Sequence, residues 1–249
     1  SDQIWSPVIT EGGDPDYFGL FPAARGKRLV AYAASMGSVR HMSGPLSVLF
    51  QKGLARFSAL SVREQPLADC LAHDFKLHAS LACDPVFLAG REVFDRIATR
   101  PAVSRPYLLL FLLAGDAQAV DYAHRMAARL GLDVVNLATY ESLRNSQVQQ
   151  TVGPELFLGY LKHASFVLTS SFHGTALSLL FGREFQTVKR DERTNERVLS
   201  LLQSLGLEDH LIDPVGELSE THVDYAVVSE RISKLRQASR DFLAQSLQG

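Results

Sequence analysis

Short runs of consecutive apolar residues, each followed by a stretch with helical spacing, constrain this chain more than any other feature. Residues 29–34, 57–62, 107–113, 133–137, 166–169 and 184–188 predict strands. Most of them are apolar at successive positions rather than alternating, the pattern of strands covered on both faces. Between them, residues 45–55, 117–130, 154–163, 173–181 and 195–205 predict helices. Strands that alternate with helices build a parallel sheet, because each crossover helix must pack back onto a sheet face. The expected class is therefore α/β.

The 249 residues suit one large domain or two small ones. A seam is expected at 89–106, where Gly90, Pro101 and Pro106 punctuate the chain before a fresh strand, helix, strand series. This gives a first domain over 1–100, a second over 101–220 and a C-terminal segment over 221–249. Val228, Ile232, Leu235 and Phe242 give the last segment one apolar stripe, predicting a long amphipathic helix that packs back on the first domain. The longest apolar run, 107–114, has eight residues, whereas a membrane span needs about 20. Apolar residues at 46% and charged ones at 21% exclude a disordered chain. A net charge of −2 gives no support for a general nucleic-acid binder, although it allows a local basic pocket. Cys70 and Cys83 lack a CxxC partner, which argues against a zinc site or disulfide framework and fits a reducing cytoplasm. The chain opens Ser1-Asp2-Gln3 without methionine, so a preceding piece is expected.

Ligands of open parallel sheets collect at the carboxyl ends of the strands. The strongest candidate there is 167–175, VLTSSFHGT, where an apolar strand ends in three hydroxyl residues and a helix follows. Unpaired backbone N–H groups and the helix dipole make such a turn an anion site. Ser170, Ser171 and Thr175 add hydroxyl donors, and Gly174 permits close approach. The same residue types also cap helices, and local chemistry leaves both readings open. His173 sharpens the choice, since a helix start disfavours imidazolium and a bound anion restores it. That coupling suits proton transfer beside a phosphate. His124, His163 and His210 read as helix-surface residues, whereas His41 follows a strand and is more open. Arg63 stands where the strand 57–62 ends and could grip a carboxylate or phosphate bidentately, although pairing with Glu64 is the plainer reading. Arg193 and Arg197, four apart, would share one side of a helix turn as a basic wall.

Taken in order, these segments resemble the polysaccharide pyruvyl transferase family. The resemblance runs through Ser1-Asp2-Gln3-Ile4-Trp5, Ala31–Gly37, Leu60-Ser61-Val62-Arg63-Glu64, Asp84-Pro85-Val86-Phe87-Leu88 and Val152-Gly153-Pro154-Glu155. It continues through Thr169-Ser170-Ser171-Phe172-His173-Gly174-Thr175 and Arg193-Thr194-Asn195-Glu196-Arg197, covering almost the whole chain. It implies a glycosyltransferase-B-like architecture of two Rossmann-like halves facing a cleft, with the first half truncated at its N-terminus. Two departures stand out: Ser6 where many relatives have asparagine, and Ser171 where some have arginine.

The resemblance also implies transfer of a pyruvyl group from phosphoenolpyruvate to two hydroxyls of one sugar, giving a cyclic ketal and phosphate. No cofactor or metal is expected, phosphoenolpyruvate being the donor substrate. The acceptor is a glycan or lipid-linked oligosaccharide, met in the cytoplasm at the inner membrane face, and no nucleic acid takes part. In this reading His173 is the acid–base group and Asp2 orients or deprotonates the acceptor. Arg63, Ser170, Ser171, Gly174, Thr175, Arg193 and Arg197 bind substrate. Two alternatives stand beside it: a nucleotide-sugar glycosyltransferase of the same architecture, and an inactive glycan-binding remnant. No GxGxxG with an acidic residue about 20 positions on is present, which mildly disfavours a nucleotide donor.

Overall fold

The computed structural model describes residues 2–37, 42–137, 152–190 and 196–248. His41 and Arg193 lie outside the described residues. The chain divides into two compact units, Ser1–Leu88 with Glu230–Gly249, and Ala89–Ser229. That division falls at the start of the stretch 89–106 read from the sequence as a seam, in which the sequence puts the domain bounds at 100/101.

Unit 1 carries a parallel sheet in the order β1 (Leu29–Ala34), β2 (Phe57–Val62), β3 (Ser80–Leu81). Helices α1 (Gly44–Leu54) and α2 (Gln65–Phe75) connect the strands. The α2 helix falls outside the sequence expectations: only Leu67, Cys70 and Leu71 are buried on it, a stripe too narrow to register as a period. Trp5 stacks on Phe18 at 5.4 Å and meets Phe50 edge-on, anchoring the N-terminal segment in a core that includes Val62 and Leu71. The register of β1 on β2 slips between Ala31 and Ala34, and Ala33 is buried with φ of 49°. A bulge of this kind bends the strand end. Buried Ser61 satisfies it, accepting the Ala33 N–H at 2.9 Å and donating to the Ala31 carbonyl at 3.0 Å.

Unit 2 begins in α3 (Pro85–Ala89), which spans the division, and continues with α4 (Arg91–Ile97). Its five-stranded parallel sheet runs β5 (Asp133–Asn136), β4 (Tyr107–Phe111), β6 (Phe166–Thr169), β7 (Glu184–Val188), β8 (Leu211–Ile212). Helices α5 (Ala117–Leu130), α6 (Pro154–His163), α7 (Phe172–Phe181) and α8 (Glu196–Leu205) connect or flank these strands. Strand order reverses direction between β4 and β6, which creates a topological switch point. Leu108, Leu110 and Leu168 pack under Tyr122 and Met126 of α5 in the core. The buried Tyr122 hydroxyl donates to Gln186 at 2.9 Å and accepts from the Ser219 N–H at 3.1 Å, tying the segment after β8 to the sheet.

His210 corrects its surface assignment. It is fully buried in a 3-10 turn before β8, its Nδ1 lies 2.8 Å from the Phe185 carbonyl, and its ring packs on Phe185 at 4.8 Å. A histidine beside apolar residues in a short polar segment carries no periodic signal of burial.

The last helix, α9 (Tyr225–Leu247), starts in unit 2, and from Glu230 onward it belongs to unit 1. There Ser239 accepts the Cys83 N–H at 2.9 Å, and Arg28 donates to the Ser246 carbonyl at 2.9 Å. No helix among the described residues is long and apolar enough to cross a membrane.

Candidate functional site

The two units each present candidate residues at the carboxyl edge of their sheets. In unit 2 the edge is built by the loops after β4, β6 and β7. The Thr169 hydroxyl donates to the Phe111 carbonyl at 2.7 Å and accepts the Ser171 N–H at 3.0 Å. Ser170 accepts the Leu113 N–H at 3.0 Å, while its own N–H bonds to the Phe111 carbonyl at 3.2 Å. The strand ends flanking the switch point are thereby clamped together. A cavity of about 540 Å³ opens beside them, lined by Leu112, Gly115, Asp116, Gln118, Ser170 and Arg190 among others. Asp116 caps α5, its Oδ1 taking the Gln118 and Ala119 N–H groups at 3.0 Å each.

The motif residues separate into two groups. Ser171 is the N-cap of α7, accepting the Gly174 N–H at 3.3 Å, and is 5% exposed. The Thr175 hydroxyl is buried, donating to the Ser171 carbonyl and lying 2.7 Å from the Thr187 hydroxyl. Gly174 makes room for protein and not for a ligand: a Cβ there would run into Thr169 Oγ1 and come 3.1 Å from its Cβ and Cγ2. These three therefore form the turn, and Ser170 and His173, both half-buried, are what it presents. The His173 ring stands edge-on to Phe172, with centroids 5.4 Å apart at 88°. Gly174→Ala is expected to destabilise the protein by about 1–3 kcal/mol through overpacking between β6 and α7. Thermal unfolding checks this, and an unchanged midpoint would show that Thr169 gives way.

Arg190, two residues past β7, lines the cavity, whereas helical spacing in the sequence favours Arg193 and Arg197. The signal for Arg190 is its register: strand 184–188 ends just before it, so its side chain starts at the carboxyl edge. Arg197 lies in the first turn of α8, half-buried, and is not among the residues lining the cavity.

In unit 1 the edge holds a charge network. Arg63 follows β2, with its side chain only 3% exposed. Its guanidinium pairs with buried Asp84, lies 3.6 Å from Glu64 and reaches Asp2 at 3.5 Å. The Ser35 hydroxyl donates to Glu64 at 2.6 Å. Asp2 pairs in parallel with Ala34, and its carbonyl accepts the Ser35 N–H at 3.0 Å. Its side chain is 62% exposed. The expectation that Arg63 grips a substrate anion thus meets three carboxylates already gathered around it. Beside them, burial first, then Cys83 and Asp84, push the Tyr32 phenol up, so it stays protonated and donates to the Cys83 carbonyl at 2.8 Å. Among the described residues no group of three His, Cys, Asp or Glu side chains could hold a metal ion.

Fold and edge together define an α/β protein whose second sheet carries a cavity at its switch point. Residues 8–191 match the polysaccharide pyruvyl transferase family, and the chain belongs to it. No curated protein sequence matches the chain. Among solved structures, the glycotransferase of kitacinnamycin aligns at 17% identity over 58% of this chain and 41% of that one, with a TM-score of 0.38. The glycosyltransferase SnogD from Streptomyces nogalater aligns at 16% identity over 95% of this chain and 70% of that one, with a TM-score of 0.42. The chain thus spans less than half the length of the first of these.

Proposed function

We infer that the protein transfers the pyruvyl group of phosphoenolpyruvate to two hydroxyls of one sugar, forming a ketal and releasing phosphate. Besides family membership, one observation carries this reading: His173 opens the helix after β6 at the same sheet edge as a cavity lined by a hydroxyl and a guanidinium. A small donor with a carboxylate and a phosphate calls for such N–H, O–H and cationic partners in a partly dry recess.

The chemistry balances without a cofactor. A proton adds to the donor methylene, which becomes a methyl group and leaves the adjacent carbon electrophilic. One sugar oxygen bonds to that carbon and loses its proton. The carbon–oxygen bond to phosphate then breaks, with the electron pair leaving on phosphate. The second sugar oxygen closes the ketal and loses its proton. Of the two protons released by the hydroxyls, one balances that taken by the methylene and the other goes to the departing phosphate. His173 is assigned the proton given to the methylene and its replacement from an acceptor hydroxyl, as imidazole is the side chain suited to both taking and giving a proton near neutral pH. In unit 1, the exposed Asp2 carboxylate is assigned a hydrogen bond from an acceptor hydroxyl. The acceptor is a polysaccharide or its lipid-linked precursor, met in the cytoplasm at the inner face of the membrane.

Incubation with phosphoenolpyruvate and candidate oligosaccharides tests the reading. Phosphate release with a matching gain of one ketal-linked pyruvyl group on the glycan is expected. Glycan binding without turnover would overturn it in favour of a binding protein. Thermal stabilisation by nucleotide sugars and not by phosphoenolpyruvate would overturn it in favour of glycosyl transfer.

A further inference from the structure

We propose that the cavity at the unit 2 switch point is the receptor for an anionic group of the donor, with Arg190 as its affinity- and specificity-determining residue and Ser170 as its neutral donor. This rests on the pyruvyl-transfer reading and adds to it the residues that hold the donor. The cavity, about 540 Å³, is walled by the segments that follow β4, β6 and β7, and among the described residues Arg190 and Asp116 are the charged side chains in its lining. Asp116 does not set the sign of the site, because its Oδ1 takes two N–H groups of the α5 start at 3.0 Å. The positive end of the α5 dipole offsets part of its charge there. Arg190 then supplies the positive charge, and a guanidinium matches a carboxylate or phosphate with two parallel N–H bonds.

Ser170 contributes in a defined direction. Its oxygen accepts the Leu113 N–H at 3.0 Å, which fixes the side chain across the two strand ends. A hydroxyl that accepts one bond still carries a hydrogen to donate. The lining contains no aromatic side chain among the described residues. A nucleobase is usually bound by stacking or by an apolar wall with a few placed polar groups. This recess, with Leu112 as its largest apolar side chain, instead suits a compact anion.

Three proteins decide the matter: the wild type, Arg190→Gln and Arg190→Lys, each titrated with phosphoenolpyruvate, inorganic phosphate and a uridine diphosphate sugar by calorimetry. Steady-state kinetics run in parallel. Unfolding midpoints of all three serve as the control for folding. Losing charge-assisted hydrogen bonds should weaken phosphoenolpyruvate binding roughly 10- to 100-fold in Arg190→Gln. Lysine should restore part of that, since it keeps the charge and loses the fork. The donor KM should rise by a similar factor while the acceptor KM stays unchanged. Equal phosphoenolpyruvate affinity in wild type and Arg190→Gln would overturn the assignment and leave pyruvyl transfer standing. A wild type that ignores phosphoenolpyruvate would overturn both. Binding of the nucleotide sugar that depends on Arg190 would overturn the assignment in favour of a nucleotide diphosphate subsite.

Discussion

His173→Ala is expected to lower pyruvyl transfer roughly 10²- to 10⁴-fold, the range for removing a positioned acid–base group. The ring occupies the second position of α7, half-buried, with its edge relation to Phe172 limiting its orientation. Its loss should fall on kcat more than on the donor KM, because the binding groups assigned here are Arg190 and Ser170. His173→Gln separates proton transfer from hydrogen bonding: an amide holds a partner in place but cannot shuttle a proton near neutral pH. Both variants should therefore be slow to a similar degree. Unfolding midpoints of both variants serve as the control for folding. Initial rates of phosphate release give the answer, and near-normal turnover in either variant would remove His173 from the mechanism.

Much of this arrangement is legible in the sequence where burial leaves a pattern. The apolar runs at 107–111 and 166–169 are buried on both faces, as is most of the more polar 184–188, and so they read as strands and locate the carboxyl edge on which the motif lies. What the motif residues do there is less legible. Ser171, Gly174 and Thr175 share their chemistry with ligand-binding donors, yet their atoms are occupied by the turn itself, the helix cap and the approach of Thr169. Sequence spacing reports which side chains stand near a strand end, and it does not report which already have partners. The same limit hides Arg190. It sits in a charged stretch where helical spacing draws notice to Arg193 and Arg197, while strand register, a two-residue argument, points one turn earlier. The bulge at Ala33 and the short strands at 80–81 and 211–212 leave no signal at all, because each is set by a partner distant in sequence.

Arg63 is where structure and sequence lead to different experiments. Read as a receptor for the donor, Arg63→Ala would raise a Michaelis constant and leave the fold intact. The geometry leads instead to a large loss of stability. The guanidinium and the Asp84 and Glu64 side chains are each 3% exposed, so the alanine variant takes a buried cation away from two buried carboxylates. Breaking a buried pair in this way costs about 3–5 kcal/mol, a large share of the roughly 5–15 kcal/mol that holds a typical domain folded. Asp2 contributes little to that sum. At 62% exposure its ion pair is a surface one, and Asp2→Asn should cost under about 1 kcal/mol while slowing transfer if the carboxylate orients the acceptor. Denaturant unfolding of Arg63→Ala, Asp84→Ala and the double variant distinguishes the cases. The double variant should lose far less than the sum of the singles, since removing either partner already forfeits the pair. Wild-type stability in Arg63→Ala, together with a raised donor constant, would mean that the guanidinium reaches substrate and that the carboxylates around it do not require it.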